Sequence, residues 1–384
     1  MKFANNLKDV RTINSNKVLQ QVYFKGPLSR LEIANKTSLS PATVGNLLIP
    51  LIEEKMVLES GFEESMGGRR RVILKINSQY GYFIGVDLGF SYINIDIFDY
   101  KMNPIHRVNC ILDNEIKDNN SAFTLLKSKI DKLKEEQLTA STKILGIGII
   151  LPRLVDINRD GLISTEPQEW GGEDLKKELL DYYNIPVFID NSAKALSLAE
   201  KWFGMGEGYN NIISTIIGRG IGSGIISDGI LLRGQSNFAG EWGHSLINSS
   251  STVEEAIIKV LNDFRRSLGL PKVTHPDIEE KEIRKFLEGN NKESKELLQD
   301  ISQIVAIGLV NLINFFNPEV IILGGWLGGI ISDYSLELLY NNIGKRAIAN
   351  SFSKVKIIPG KFNHADICIG GASLVINNLL GFNY

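Results

Sequence analysis

Arg69, Arg70 and Arg71 stand together after Gly67 and Gly68. Three adjacent guanidiniums suit contact with phosphate or entry into a narrow minor groove. The two glycines let the backbone turn freely. The same run also reads as a basic interdomain linker. Upstream, Ser40, Thr43 and Asn46 fall on or near the outward N-terminal face of a helical pattern. There they suit phosphates or base edges, Asn46 best matching a base edge, and they suit a merely solvated surface as well.

A second set of residues is glycine-rich. Asp87-Leu88-Gly89, the run from Gly218 through Gly220, Gly222 and Gly224, and Gly324-Gly325 each follow a strand-like segment. Backbone N–H groups at such turns hold phosphate. One such turn says little, because glycines gather wherever strands end. Three together point to a phosphate-binding, two-lobed fold.

Charge divides the chain in the same sense. Residues 1–80 hold 12 Lys and Arg against 7 Asp and Glu, whereas the other 304 hold 30 against 37. The formal −2 of the whole is thus a cancellation of a basic head and an acidic body. That asymmetry points to a polyanion at one end only. The two cysteines, Cys110 and Cys368, fit a reducing compartment and leave little room for a thiolate metal site. The first residues lack the apolar segment of a signal peptide. The apolar stretch from Ile304 to Phe316 is too short for a bilayer and reads as a buried core helix. No membrane partner and a cytoplasmic location are therefore expected.

Local signals place the elements. A first helix is expected near Lys17–Tyr23. A second is capped by Ser29 with Glu32 in a capping box and runs to about Lys36. After Thr37-Ser38-Leu39, Ser40 caps a third helix with Pro41 at its first position. Val44, Leu47, Leu48, Leu51 and Ile52 give that helix its core face. Pro50 and Gly45 weaken it, by roughly 3 and 1 kcal/mol, so a kink or an early end is expected near Ile49. Val57-Leu58-Glu59 and Val72-Ile73-Leu74 then read as the strands of a wing. From Tyr82 the pattern alternates, with strands at Tyr82–Asp87, Tyr92–Phe98, Ile144–Ile150, Val187–Asp190, Ile212–Ile217, Gly224–Ser227 and Val320–Leu323. His275 and Pro276 open a charged span, Asp277–Glu296, that reads as surface helix. The class is α/β behind a helix-turn-helix head whose third helix enters the major groove.

These segments resemble the ROK family (repressors, open reading frames and kinases), in particular its NagC/XylR-type regulators. The likeness rests on Gly26–Arg30, Ser40–Val44 and Gly67–Arg70 in the head. In the body it rests on Gly85–Gly89, Gly220–Gly224, Ala239-Gly240-Glu241-Trp242-Gly243-His244, and Asn317–Val320 before Gly324-Gly325. It implies a winged helix-turn-helix at 1–78 and a two-lobed actin-like, sugar-kinase (ribonuclease H-like) fold. The lobes would be 79–195, completed by a helix at 371–384, and 196–370. Sugar would lie between the lobes, held by Asn191, Ser192, Glu241 and His244, with Glu254 in the place of a further glutamate. His244 taken alone reads equally as a structural histidine. Trp170 would cover the sugar or belong to the core or surface.

The departures from the family pattern carry as much meaning. Its kinases follow Asn with an Asp that takes the proton of the sugar hydroxyl. Here Ser192 follows Asn191, and a hydroxyl is no base near neutral pH. Phe90-Ser91, Arg219 and Arg153 alter the phosphate loops as well. Asp87, Gly89, Gly220 and Gly222 are then relics of phosphate turns, and ATP is not expected. The family's zinc site joins its histidine to three cysteines that are missing after His244, so no zinc is expected. The reading is a repressor of carbohydrate-utilisation genes, a homodimer or larger homo-oligomer on operator DNA, answering a carbohydrate and without catalysis. Its rivals are a sugar kinase carrying a DNA-binding head, and a site in which Arg219 recruits a phosphorylated sugar.

Overall fold

A computed structural model describes residues 7–62, 71–89, 92–111, 119–139, 142–152, 155, 173–218, 220–273, 280–362 and 366–381. Arg69, Arg70, Phe90, Ser91, Arg153, Trp170, Arg219 and His275 to Asp277 lie outside these residues. The chain forms two compact units. One takes in Met1–Ile149, Asp174–Ile189 and Gly371–Tyr384; the other takes in Ile150–Glu173 and Asp190–Gly370.

The first unit opens with α1 (Leu7–Lys25), β1 (Leu28–Ser29), α2 (Arg30–Thr37), α3 (Pro41–Glu53), β2 (Val57–Phe62) and β3 (Val72–Ile76). The strands pair antiparallel in the order β1-β3-β2. Val22, Ile33, Val44, Leu48 and Leu74 close the core among the helices and this sheet. Ser29 caps α2 by the expected capping box, its hydroxyl facing the Glu32 N–H and its own N–H reaching the Glu32 carboxylate. Two expectations need correction. Helix α1 begins ten positions before Lys17, its first half being mostly polar. Helix α3 does not stop near Ile49: it continues through Pro50 to Glu53. Proline removes one N–H, but Leu47, Leu48 and Leu51 are buried on either side of it, and the Glu54 N–H resumes the ladder on the Pro50 carbonyl at 2.9 Å.

Next come β4 (Tyr82–Leu88), β5 (Tyr92–Asp99), β6 (Pro104–Ile111), α4 (Asn119–Gln137), β7 (Ile144–Leu151), α5 (Glu173–Tyr183) and β8 (Val187–Asn191). Their sheet has the order β6-β5-β4-β7-β8. The sequence signals gave no β6, whose side chains are exposed or half-buried along its whole length.

The second unit holds α6 (Ser192–Phe203), β9 (Ile212–Ile217), β10 (Ile221–Ser227), β11 (Ile230–Leu231), a 3-10 turn at Trp242–His244 and α7 (Val253–Ser267). It continues with α8 (Glu280–Glu288), α9 (Lys292–Phe316), β12 (Val320–Gly324), α10 (Gly325–Tyr334), α11 (Leu336–Gly344), α12 (Ala349–Phe352) and β13 (Lys356–Pro359). The closing helix α13 (Cys368–Leu379) runs from this unit into the first. Strand order is β11-β10-β9-β12-β13. Position by position this repeats the order of the β4–β8 sheet, with three meander strands, then two strands added beside the first. One design thus occurs twice, which is the actin-like arrangement.

Three further expectations change here. The glycine run is a turn only at Gly218 and Gly220, since Gly222 and Gly224 lie inside β10, paired with Ile216 and Ser214. Gly224 is needed there because any Cβ would strike Ser197 of α6. The charged span after Asp277 is two helices, broken at Asn290 (φ 42°) before the Asn291 cap of α9. Helix α9 has 25 residues and could cross a bilayer by length and composition, yet 56% of its most apolar window is buried inside the protein. It packs on α7 and α11 as a core helix, its own Ile301, Leu309 and Ile313 buried in one cluster with Leu261 of α7.

Candidate functional site

Helix α6, strand β10 and the turn at Ala239–His244 build one site in the second unit. Asn191 caps α6, its side-chain oxygen accepting the Ala193 N–H at 2.9 Å. Ser192 follows, and its hydroxyl donates to the Leu151 carbonyl at 2.9 Å. That proton is committed, so towards a ligand Ser192 keeps acceptor capacity alone.

The Ala-Gly-Glu-Trp-Gly-His turn lies against β10. Gly240 has φ +92°, and its carbonyl accepts both the N–H and the hydroxyl of Ser223 at 2.9 Å. A side chain there would run into the Ser223 carbonyl. Trp242 is buried and donates its indole N–H to the Gly222 carbonyl at 2.9 Å. With the turn fixed, Glu241 points back to α6. Its Oε1 accepts from Lys194 Nζ at 3.3 Å, and a Cβ at Gly222 would lie 3.7 Å from its Oε2 and 3.4 Å from the Ala193 Cβ.

The other expected sugar contacts sit on the same stretch. His244 is exposed, and its N–H donates to the Glu241 carbonyl at 3.2 Å. Glu254 is half-buried in the first turn of α7. That helix start is held to the turn by the Val253 N–H on the Ser245 carbonyl at 3.0 Å. Asn191, Ser192, Glu241, His244 and Glu254 thus come from three neighbouring pieces of one unit.

Sequence reasoning missed the residues behind this site. Asp190 is buried, with Oδ2 accepting from Arg233 Nη1 at 2.6 Å and Oδ1 accepting from Asn237 Nδ2 at 2.8 Å and from the Asn191 N–H at 2.8 Å. Asn237 also donates to the Val155 carbonyl at 2.8 Å. These bonds set the end of β8 and so the aim of the Asn191 cap. Lys194 was missed too. A lysine early in a helix gives no sign in sequence of being buried.

At two of the three expected phosphate turns a backbone N–H is already bonded within the chain itself. The Gly89 N–H donates to the Tyr92 carbonyl at 3.1 Å, and the Tyr92 ring fills the space over Gly89. Asp87 is buried and accepts from Asn94 Nδ2 at 3.2 Å. The Gly218 N–H donates to the Gly220 carbonyl at 3.1 Å, and Gly222 is a strand residue. With Ser192 after Asn191, these described residues offer no carboxylate base at the position where the family's kinases carry one. Nor do they fit the family's zinc. No cysteine stands in the segment between His244 and α7, and the two cysteines lie elsewhere, Cys110 in β6 and Cys368 in α13. Among the described residues no group of three or more His, Cys, Asp or Glu is placed to hold a metal.

In the head, Ser40 and Thr43 spend their polar atoms on each other. The Thr43 N–H donates to Ser40 Oγ at 3.1 Å, and the two hydroxyls lie 2.9 Å apart. Asn46, one turn on, is exposed and has no partner among the described residues. Arg71 is exposed at the start of β3, and Arg30 pairs with Glu59 at 2.8 Å, tying α2 to the wing.

A family model described as the ROK family matches residues 83–378. The xylose repressor of Caldicellulosiruptor bescii is 30% identical over 391 residues, spanning 97% of this chain and 98% of that protein. The DNA-binding transcriptional dual regulator NagC of Escherichia coli (strain K12) is 26% identical over 348 residues, 83% of this chain and 82% of that protein. The crystal structure of a ROK family transcriptional regulator, a homologue of the E. coli MLC protein, superposes with a TM-score of 0.82 at 22% identity, covering 97% of this chain and 98% of that one. The ROK hexokinase from Thermus thermophilus superposes with a TM-score of 0.62 at 22% identity, covering 77% and 97%. At these identities both structures bear on the fold alone.

Proposed function

The chain belongs to the ROK family, and on that premise we infer that it is a sugar-responsive, DNA-binding transcriptional repressor. The observation that carries this reading is the extent of the likeness. Similarity to named repressors runs through head and body together, 97% of the chain, whereas the hexokinase covers 77% of it. A xylose repressor is among the relatives, so a pentose such as xylose leads the candidate effectors.

In this reading Asn46 and the arginines Arg69, Arg70 and Arg71 meet operator DNA, with Ser40 and Thr43 shaping the N-terminus that enters the groove. Asn191, Ser192, Glu241, His244 and Glu254 hold saccharide hydroxyls. The protein does not phosphorylate its ligand. Phosphoryl transfer needs a positioned base and open phosphate turns, and Ser192, Gly89 and Gly218 supply neither. Two copies on a two-fold operator give the assembly, at work in the cytoplasm. Regulation requires the saccharide to prefer one conformation of the protein, so that operator affinity follows ligand concentration.

Calorimetric titration with D-xylose, D-glucose and N-acetyl-D-glucosamine, paired with a coupled ADP-release assay, tests this. Saturable binding of a saccharide without ADP release is expected. ATP-dependent turnover of any of them overturns the reading.

A further inference from the structure

We propose that Lys194 is a positioning residue for saccharide binding: from inside α6 it fixes the Glu241 carboxylate in place as the acceptor for hydroxyls of an uncharged sugar. The inference rests on Glu241 facing the saccharide, as proposed above.

Lys194 is 0% exposed, and Glu241 is its one partner among the described residues, at 3.3 Å. Its place is unfavourable twice over. A buried ammonium loses its hydration, and the first turn of a helix is the positive end of the helix dipole. No acidic side chain in the first turn of α6 relieves this. Among the described residues the compensation comes from Glu241.

Glu241 is held for the same purpose. The Glu241 side chain makes no capping bond to the Trp242–His244 turn that follows it. It reaches for Lys194 with Oε1. Its side chain remains 18% exposed, and Oε2 faces the Cβ-free side of Gly222. One oxygen is anchored and the other is left for a ligand donor. The ion pair is neutral as a whole. An anionic ligand would meet Glu241 and a cationic one would compete with Lys194, so an uncharged polyol is the class that fits.

A double-mutant cycle read in saccharide affinity tests this, using the full chain and the three saccharides named above. Lys194→Met is expected to weaken binding about tenfold or more, the scale of a hydrogen bond to a charged group. Lys194→Met/Glu241→Gln removes the pair whole, so it avoids the stranded lysine that Glu241→Gln alone creates. It is expected to bind no more weakly than Glu241→Gln, because Lys194 acts through Glu241. Leu339→Ala, a truncation in the α11 core, controls for general loosening, lowering Tm while leaving saccharide Kd unchanged. Wild-type affinity in Lys194→Met, or additive losses in the double variant, overturns the inference. Absence of saccharide binding by the unaltered chain overturns the functional reading, and this inference with it.

Discussion

The Tyr23 hydroxyl donates to the Tyr100 carbonyl at 2.6 Å, joining the first helix of the head to the turn after β5. The two rings meet edge to face at 5.7 Å, and Tyr100 also stacks on Phe83. Close by, Gln20 donates to the Leu380 carbonyl at 2.8 Å, 360 positions away in sequence. Head, β4–β8 sheet and C-terminal helix therefore belong to one compact unit. Burial raises the pKa of both tyrosines, Tyr23 well above its ordinary value.

Two Tyr→Phe variants at this junction should differ in their effect on stability. Tyr23→Phe leaves a buried carbonyl without its donor and should cost about 1–3 kcal/mol. The Tyr100 hydroxyl has no hydrogen-bond partner among the described residues, so Tyr100→Phe should be neutral or stabilising by up to about 1 kcal/mol. Urea unfolding of the three proteins measures both. Equal losses in the two variants would contradict the assignment.

Asn46 and Arg71 should separate sequence reading from phosphate binding. Asn46→Ala should cost about 1–3 kcal/mol on the preferred operator and little on random duplex. Arg71→Ala should weaken both alike and lower the salt slope by about one. Fluorescence anisotropy at several salt concentrations resolves the two patterns.

Gly240→Ala should damage the sugar site by way of the backbone. The φ of +92° and the abutting Ser223 carbonyl both oppose a side chain. A loss of about 1–3 kcal/mol in stability is expected, with weaker saccharide binding as Glu241 loses its aim. Thermal unfolding and calorimetry check the two effects together.

The Ser29–Glu32 capping box should give the head an acid-sensitive helix. The Ser29 N–H, then its hydroxyl, hold the Glu32 pKa below the ordinary 4.5. A depressed folded pKa contributes stability at pH values above the unfolded one, and this is lost as pH falls through the folded one. Glu32→Gln should therefore be less stable than the parent near neutrality, with the gap closing below about pH 4. Denaturation curves across that range report the difference.

Much of this was legible because it is local. The Ser29 and Ser40 caps, Pro41, and strands such as Ile212–Ile217 declare themselves within a few residues. Family motifs pointed to Asn191, Glu241 and His244, which lie on neighbouring pieces of one unit. Features made by distant partners were not legible. The Asp190–Arg233–Asn237 network joins residues more than 40 positions apart. Lys194 reads in sequence as a solvated helix residue until Glu241 is seen opposite it. Gly222 and Gly224 look like turn residues, yet they are strand glycines thinned for the approach of α6. Pro50 misled in the other direction, since burial on both sides of it carries α3 onward.

The most direct measurement is operator affinity against saccharide concentration. An operator duplex selected from a random pool would be titrated with the full chain, with and without D-xylose, D-glucose or N-acetyl-D-glucosamine. The account predicts that one saccharide weakens operator binding at least about tenfold, a coupling of about 1.4 kcal/mol, with no requirement for ATP. Affinity unchanged by every saccharide, or no affinity for duplex DNA at all, would contradict it.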